Sequence, residues 1–240
     1  KKNLNLKINT LFSNEISSEE IEYCKKIIEK INFLKNSEKI YIENFFTQKE
    51  FKLENVMKSL EMPFNRSHLI DRFLAYNSRQ QGRIVILDGQ GGDEAFLGYY
   101  SYVLSYIVDC ITNLKFQNIF NIIGSNPINS YKQLLVDIGK SVFFRLLNKK
   151  EKIDHVRKYL GWKLDEIIIS NYVYKVNYLL AIRDKNSMAF GTELRVPFLD
   201  HNIVEQLSKI SVNKKFQDGK RKSILLKYFS DKGLSELTLR

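Results

Sequence analysis

The feature that most constrains this chain is a short apolar run followed at once by a glycine-rich acidic segment. Residues 83–87 read Arg-Ile-Val-Ile-Leu, and residues 88–94 read Asp-Gly-Gln-Gly-Gly-Asp-Glu. A compact apolar run of this kind is typical of a central parallel strand that is buried on both faces. A turn after such a strand lies at the carboxyl edge of the sheet, where open parallel sheets bind ligands. The two segments therefore predict both an α/β fold and a ligand site.

The spacing of apolar residues predicts strands alternating with helices before this segment and mainly helices after it. Before it we expect strands at residues 4–12 and 39–42, and helices at residues 17–31, 45–60 and 69–76. After it we expect helices through residues 99–178, with breaks near residues 124–127 and Gly161, and a final helix at residues 220–231. Strands separated by helices imply right-handed crossovers, and hence a partial parallel doubly wound sheet followed by a mainly helical subdomain. We place the division at residue 100, giving parts 1–100 and 101–240.

Composition excludes several classes of protein. The 240 residues are 44% hydrophobic and 27% charged, which supports a sizeable core and argues against intrinsic disorder. No stretch approaches the ~20 apolar residues that a spanning helix needs, so no membrane partner is expected. The two cysteines, Cys24 and Cys110, are too few for a secreted disulfide scaffold, which predicts a reducing, cytoplasmic location.

The net charge of +11 permits an anionic partner but does not indicate nucleic acid. Lysines are spread along the whole chain, and no recognised nucleic-acid-binding pattern accompanies them. We therefore expect a solvated basic surface and no nucleic-acid partner. A nucleic-acid-binding protein is the alternative, and it predicts an affinity that falls steeply with salt.

The glycine-rich segment has the composition of an anion site with a metal ligand beside it. Gly89, Gly91 and Gly92 let the backbone turn tightly and approach a ligand closely, and their amides suit an anion. Asp93 supplies a hard oxygen ligand, so Mg²⁺ beside a phosphate is the natural pairing. A calcium loop is excluded, because Asp93 occupies the position where that loop needs glycine. An unliganded turn is the alternative from this segment alone.

Four stretches resemble the synthetase domain of the asparagine synthetase family, and they occur in the family's order. Residues 88–100, DGQGGDEAFLGYY, are similar to the family's SGEGxDE-x-x-GGY segment. Residues 183–201, RDKNSMAFGTELRVPFLDH, are similar to its DRNSMA…E-x-RVPFLDH segment. Residues 219–229, GKRKSILLKYF, resemble its G-x-x-K-x-x-L-R helix, and residues 61–64, EMPF, resemble its DEPF. The four stretches are spread between residue 61 and residue 229 of the chain.

This resemblance implies an adenine-nucleotide-binding α/β fold and an enzyme that uses ATP to form amides. A carboxylate attacks the α-phosphate of ATP, pyrophosphate leaves, and an amine attacks the resulting acyl-adenylate. ATP and Mg²⁺ are therefore the expected cofactors. In asparagine synthetases the acid is aspartate and the amine is ammonia, released from glutamine by an amino-terminal glutaminase domain. Glutamine-dependent asparagine synthesis is the leading function, with these small molecules as substrates and that domain as the expected partner.

The resemblance also implies roles for residues of the glycine-rich segment. Asp88, Gly89, Gln90 and Gly91 match positions beside the nucleotide and the acyl-adenylate. Asp93 matches the ligand of magnesium pyrophosphate. We expect Gln90 to be catalytic, since it lies where the family has a glutamate that is thought to assist the reaction.

Three further residues acquire roles from the later stretches. Lys222 matches a lysine whose ammonium faces the negative charge that develops on the phosphate, and we expect it to be catalytic. A plain surface lysine is the alternative for this position. Asp184 and Lys185 match a polar pair that lines the nucleotide site, with structural ion pairing as the alternative.

The sequence departs from the family's pattern in two places. The pyrophosphate-binding SGGxDS loop and the glutaminase domain with its first-residue cysteine are not in this chain. We expect both to lie upstream, and we expect this chain alone to lack synthetase activity. At Gln90 a neutral amide replaces the carboxylate, which leaves the acid and the amine open.

Two alternatives to asparagine synthesis follow from these departures. A synthetase-like paralogue could make another amide, such as a peptide macrolactam or a cell-surface or secondary-metabolite amide. A non-catalytic synthetase-like binding module is the alternative from outside the enzymes. The oligomeric state is left open.

Overall fold

A computed structural model describes most of the chain after residue 48 and two short strands before it. The described residues are 9–12, 22, 38–41, 49–123, 132–153, 158–217 and 220–234. Over these residues the chain is α/β, with mostly helical content and a small parallel sheet. The helix predicted at residues 17–31 lies outside the described residues, apart from Glu22, which is helical.

The described strands pair two by two. β1 (Asn9–Phe12) and β2 (Glu38–Tyr41) are parallel, with Asn9 opposite Glu38 and Phe12 opposite Tyr41. Four more strands follow, namely β3 (Val85–Leu87), β4 (Glu151–Ile153), β5 (Lys158–Leu160) and β6 (Glu193–Arg195). β3 pairs with β6, and β4 runs antiparallel to β5. The strands predicted at residues 4–12 and 39–42 are confirmed where they are described.

β3 is a strand, as the sequence predicts, but it is not buried on both faces. Ile84 is 59% exposed, Val85 is 42% exposed and Leu87 is 59% exposed. Burial of both faces requires neighbouring strands and covering helices. Among the described residues β3 pairs with β6 alone, so this sheet is too small to enclose it. The prediction of a doubly buried strand is therefore wrong, and the doubly wound sheet stays a prediction.

Helices make up most of the described chain. Before β3 lie a 3₁₀ turn (Lys49–Phe51), α1 (Leu53–Leu60) and α2 (Arg66–Gln80). Between β3 and β4 lie α3 (Gly92–Ala95), α4 (Tyr100–Thr112), α5 (Phe116–Ile123) and α6 (Lys132–Leu146). After β5 come α7 (Leu164–Ser170), a π-helical turn (Asn171–Val176) and α8 (Asn177–Met188). A 3₁₀ turn (Pro197–Leu199), α9 (His201–Ser208), α10 (Val212–Lys215) and α11 (Ser223–Asp231) follow β6.

The predicted helical half is confirmed over the described residues, with two differences. The hairpin of β4 and β5 interrupts it shortly before the break expected at Gly161, whose φ is +78°. The helix predicted at residues 220–231 begins at Ser223 instead, because Lys222 has a φ of +56° and cannot be part of a right-handed helix. Among the described helices, none combines the length and the apolar composition that a membrane span requires.

The chain divides into two compact units. Unit 1 comprises residues 1–86 and 182–193, and unit 2 comprises residues 87–181 and 194–240. Among its described residues, unit 1 has two small cores: one contains Val56, Leu60 and Ile182, and the other contains Phe51 and Phe73. The division at residue 100 that the sequence predicts stays a prediction.

Unit 2 has a larger core around α4 and a smaller one around α3. The larger core contains Leu97, Tyr102, Leu104, Ile107, Val108, Ile122, Tyr159, Leu160, Leu164, Ile167 and Phe216. The smaller core contains Ala95, Phe96 and Leu207, against which Phe198 and Ile224 pack. Because these residues belong to α3, the 3₁₀ turn after β6, α9 and α11, the smaller core brings the glycine-rich segment to the start of α11.

Candidate active site

The glycine-rich turn after β3 is closed by its own first residue. Asp88 accepts a hydrogen bond on Oδ1 from the backbone N–H of Gln90 (3.0 Å). The N–H of Gly92 donates to the carbonyl of Gly89 (3.2 Å), and the N–H of Asp88 donates to the carbonyl of Arg195 (2.9 Å). An Asp side chain that bonds the backbone two residues later stabilises a turn. Asp88 therefore shapes the loop that carries Gln90 and joins that loop to the end of β6.

The glycines of this turn differ in what the fold demands of them. Gly91 has a φ of +87°, and a Cβ there would overlap the side chain of Leu199. A Cβ on Gly92 would lie 3.2 Å from the ring of Phe198. A Cβ on Gly89 would meet nothing within 4 Å, and this residue is exposed. Gly91 is thus fixed by the fold, whereas no steric contact with the described residues requires a glycine at position 89.

Asp93 and Lys222 come from different stretches of sequence and form an ion pair. Lys222 Nζ lies 2.9 Å from Asp93 Oδ1, and the two side chains are 34% and 40% exposed respectively. Asp93 stands in the first turn of α3, and Lys222 immediately precedes α11. The left-handed backbone of Lys222 costs roughly 1–2 kcal/mol, and strain of this kind clusters at functional sites. The structure therefore brings the predicted metal ligand and the predicted catalytic lysine together.

Gly98 makes room for this ion pair. A Cβ on Gly98 would overlap Asp93 Oδ1 and Lys222 Cε, and it would lie 2.9 Å from Asp93 Cγ. The backbone of Gly98 is held in place, because its N–H donates to the carbonyl of Asp93 (2.7 Å) and its carbonyl accepts from Arg221 Nη1 (3.0 Å). A side chain at this position would displace the ends of the Asp93 and Lys222 side chains. Asp93, Gly98 and Lys222 consequently form one cradle, which we call the Asp93–Lys222 cradle.

Glu94, the next residue, is buried and has different partners from Asp93. Its side chain is 1% exposed, Tyr99 Oη donates a hydrogen bond to Glu94 Oε1 (2.7 Å), and Lys175 Nζ lies 3.6 Å from the same oxygen. Burial and the Glu94 carboxylate raise the pKa of Tyr99 well above its ordinary value, so the phenol stays protonated and keeps donating. The contact of Lys175 with Glu94 is not predicted by the sequence, because no motif surrounds Lys175 and it lies in a π-helical turn far from Glu94 along the chain.

The predicted site residues divide between the two units. Unit 2 contains Asp88, Gly89, Gln90, Gly91, Asp93 and Lys222, and unit 1 contains Asp184 and Lys185. Within unit 1, Lys185 Nζ lies 3.2 Å from Glu61 Oε2, and Asp184 is exposed. The ion pair favours the structural alternative for Lys185. That Asp184 and Lys185 line a nucleotide site stays a prediction.

The donor set around Asp93 fits a particular kind of metal binding. Over the described residues, no group of three or more His, Cys, Asp or Glu side chains is arranged to hold a metal ion. Mg²⁺ is commonly held by one or two carboxylates together with substrate phosphates and water, so a single carboxylate is compatible with it. Asp93 beside a lysine suits Mg²⁺ bound to phosphate better than Mg²⁺ alone, because the positively charged Lys222 side chain can bind only the anionic phosphate.

Comparison with known proteins gives the family. A sequence model of the asparagine synthase family matches residues 6–234. The chain belongs to the asparagine synthase family. The chain is 24% identical, over 202 residues, to "Putative asparagine synthetase (glutamine-hydrolyzing) 1" of Methanocaldococcus jannaschii. The match covers 84% of this chain and 28% of the archaeal protein, so the chain spans under a third of that relative's length.

Proposed function

We propose that the protein carrying this chain is an ATP-dependent amide ligase that works through an acyl-adenylate and releases pyrophosphate. The observation that carries the proposal is the Asp93–Lys222 cradle. A carboxylate and an ammonium group from two family-like stretches lie 2.9 Å apart, and a Cβ on Gly98 would displace both side chains. A plain surface lysine has no need of such a fitted environment. Membership of the asparagine synthase family supports the same reaction class.

The residues of the cradle fit a magnesium-bound polyphosphate. Asp93 would hold Mg²⁺ together with phosphate oxygens, and the ion would supply charge neutralisation on the departing pyrophosphate. Lys222 lies next to that position, so its ammonium can face the negative charge that grows on the α-phosphate as the carboxylate attacks. Groups already in place when charge develops stabilise the transition state without reorganising, which is the source of their effect on rate.

The turn before the cradle suits the adenylate. Gly89 is exposed and has open space where a Cβ would be, so its lack of a side chain serves close approach by a ligand rather than the fold. Asp88 closes the loop and thereby sets the position of Gln90. We assign Asp88, Gly89, Gln90 and Gly91 to the nucleotide and acyl-adenylate side of the site, within an adenine-nucleotide-binding α/β fold.

The substrates follow from the family and from Gln90. Aspartate as the acid and ammonia from glutamine as the amine are the leading pair, with a glutaminase domain as partner in the cytoplasm. Gln90 carries no charge, so it cannot hold an ammonium ion as a carboxylate does, although it can donate and accept hydrogen bonds. The uncharged side chain at position 90 favours a second candidate function, that of a paralogue which joins a bulkier amine to its acid.

The proposal is tested with the full-length protein, ATP and Mg²⁺. Aspartate with ammonia or glutamine should yield AMP, pyrophosphate and asparagine in equal amounts. AMP formation that needs a different acid or amine would keep the ligase class and change the substrates. ADP in place of AMP would overturn the acyl-adenylate route. No amide with any acid and amine pair would overturn the proposed function in favour of a binding module.

A further inference from the structure

Two adjacent carboxylates, Asp93 and Glu94, are each paired with a different lysine. Asp93 faces Lys222 at 2.9 Å with both side chains partly exposed, whereas Glu94 faces Lys175 at 3.6 Å and is buried. The proposed reaction uses Asp93 and Lys222. It gives no task to Glu94, although a buried carboxylate is costly unless it is paired and hydrogen-bonded. A buried ionisable group next to a proposed metal ligand therefore requires an explanation.

Tyr99 completes the surroundings of Glu94. Its hydroxyl donates to Glu94 Oε1 at 2.7 Å, and Lys175 Nζ lies 3.7 Å from the centre of the Tyr99 ring. The ammonium group is thus held by the carboxylate and by the face of the aromatic ring together, which is a favourable cation–π geometry. Glu94, Tyr99 and Lys175 contact one another, and we call these three residues the Glu94 anchor.

Lys175 reaches Glu94 from a π-helical turn. The turn spans Asn171–Val176, between α7 and α8. It is itself fixed, because Asn171 Nδ2 donates to Tyr102 Oη (2.7 Å) and Asn171 Oδ1 accepts from Tyr159 Oη (3.1 Å). Single π turns are frequent at functional sites, and they change which side chain faces a given direction. Here the buried Asn171 holds the turn that supplies the lysine.

α3 is too short to fix its own orientation. It has four residues and no side-chain cap, and helices of this length have little stability alone. Consecutive side chains on an α-helix point about 100° apart. Fixing the Glu94 carboxylate therefore also fixes the direction in which Asp93 projects. Ala95 and Phe96, at the end of the same turn, pack into the smaller core of unit 2.

We propose that Lys175 and Tyr99 are positioning residues that act through Glu94 to aim Asp93 at the magnesium-phosphate group. Lys175 also keeps the two carboxylates from competing for one cation, because it leaves Lys222 to Asp93. This inference rests on the proposed function, since it needs Asp93 to be the Mg²⁺ ligand. Neither residue touches the substrate.

The test measures the Mg²⁺ concentration that gives half-maximal AMP formation by the full-length protein. Lys175→Gln should raise this concentration about three- to tenfold, and Lys175→Arg should restore most of the loss because it keeps the charge. In an Asp93→Asn background, Lys175→Gln should change it by less than about 1.5-fold, since two residues that act through one group are not additive. Tyr99→Phe, which removes a hydroxyl and keeps the ring, should show the same coupling with a smaller effect.

Lys150→Gln is the matched control. Lys150 pairs with Glu166 at 2.8 Å and lies 5.4 Å from the centre of the Trp162 ring, so it has the same kinds of partner as Lys175. Lys150→Gln should change the Mg²⁺ concentration that gives half-maximal AMP formation by less than about 1.5-fold. Equal effects of Lys175→Gln in both backgrounds, or a lower melting temperature with unchanged Mg²⁺ dependence, would overturn the positioning role alone. An Asp93→Asn variant with unchanged Mg²⁺ dependence would overturn the proposed metal role, and this inference with it.

Discussion

Replacing Gly98 by alanine tests whether the Asp93–Lys222 cradle is catalytic. The new Cβ would overlap Asp93 Oδ1 and Lys222 Cε and would lie 2.9 Å from Asp93 Cγ. Carbon atoms in ordinary contact are about 3.5–4.0 Å apart, so the carboxylate has to move by about 1 Å. The backbone of Gly98 is held by two hydrogen bonds, and therefore the ends of the two side chains should move instead.

The expected effects on stability and on catalysis differ sharply. A partly exposed ion pair contributes about 0–1 kcal/mol, so the free energy of unfolding should fall by no more than about 1 kcal/mol. A displacement of about 1 Å at a reacting group costs on the order of 10²-fold in rate. Gly98→Ala should therefore lower kcat/KM for ATP about a hundredfold in a protein that remains folded.

Denaturant unfolding and steady-state AMP formation on the same preparation measure both quantities. Gly139→Ala is the control, because a Cβ there meets nothing within 4 Å. Gly139 lies within α6, where alanine is about 1 kcal/mol more favourable than glycine, so this variant should be slightly stabilised and fully active. Activity of Gly98→Ala within about threefold of the unmodified protein would refute the argument that the cradle takes part in the reaction.

Three further substitutions separate the roles within the site. Asp93→Asn should slow adenylation at least tenfold at saturating Mg²⁺, equivalent to about 1.4 kcal/mol, and a rate within about threefold would exclude the ligand role. Lys222→Met should slow catalysis about a hundredfold or more while ATP affinity is largely kept. An equal loss of rate in Lys220→Met would show that the catalytic role does not belong to Lys222. Gln90→Glu should maintain or raise amide formation with ammonia, but it should lower the rate with a bulkier amine by placing a charge where none was accommodated. Unchanged rates with both amines would show that Gln90 does not influence the amine.

Local patterns mark part of the candidate site in the sequence, and the roles of its residues stay predictions. Asp93 and Lys222 were identified from separate stretches, and the structure brings them within 2.9 Å. The turn at Asp88–Gly91 follows a strand, as the glycine spacing indicates. Such features can be predicted because a glycine-rich turn after an apolar strand has few backbone solutions.

Features that depend on distant residues could not be predicted in the same way. Lys175 meets Glu94 only because a π-helical turn directs it there, and no periodic pattern marks such a turn. The exposure of Val85 and Leu87 depends on how many strands and helices surround β3, which an apolar run does not specify. The β4–β5 hairpin was missed because its two strands have three residues each, too few to show alternation.

Isotope transfer from the acid substrate tests the central claim most directly. In the proposed reaction a carboxylate oxygen attacks the α-phosphorus of ATP, and this oxygen stays with AMP when the amine displaces it from the acyl carbon. Full-length protein given ¹⁸O-labelled carboxylic acid, unlabelled ATP and the amine should therefore yield AMP with one ¹⁸O atom. Label in inorganic phosphate accompanied by ADP, or AMP without label, would contradict an acyl-adenylate at the Asp93–Lys222 cradle.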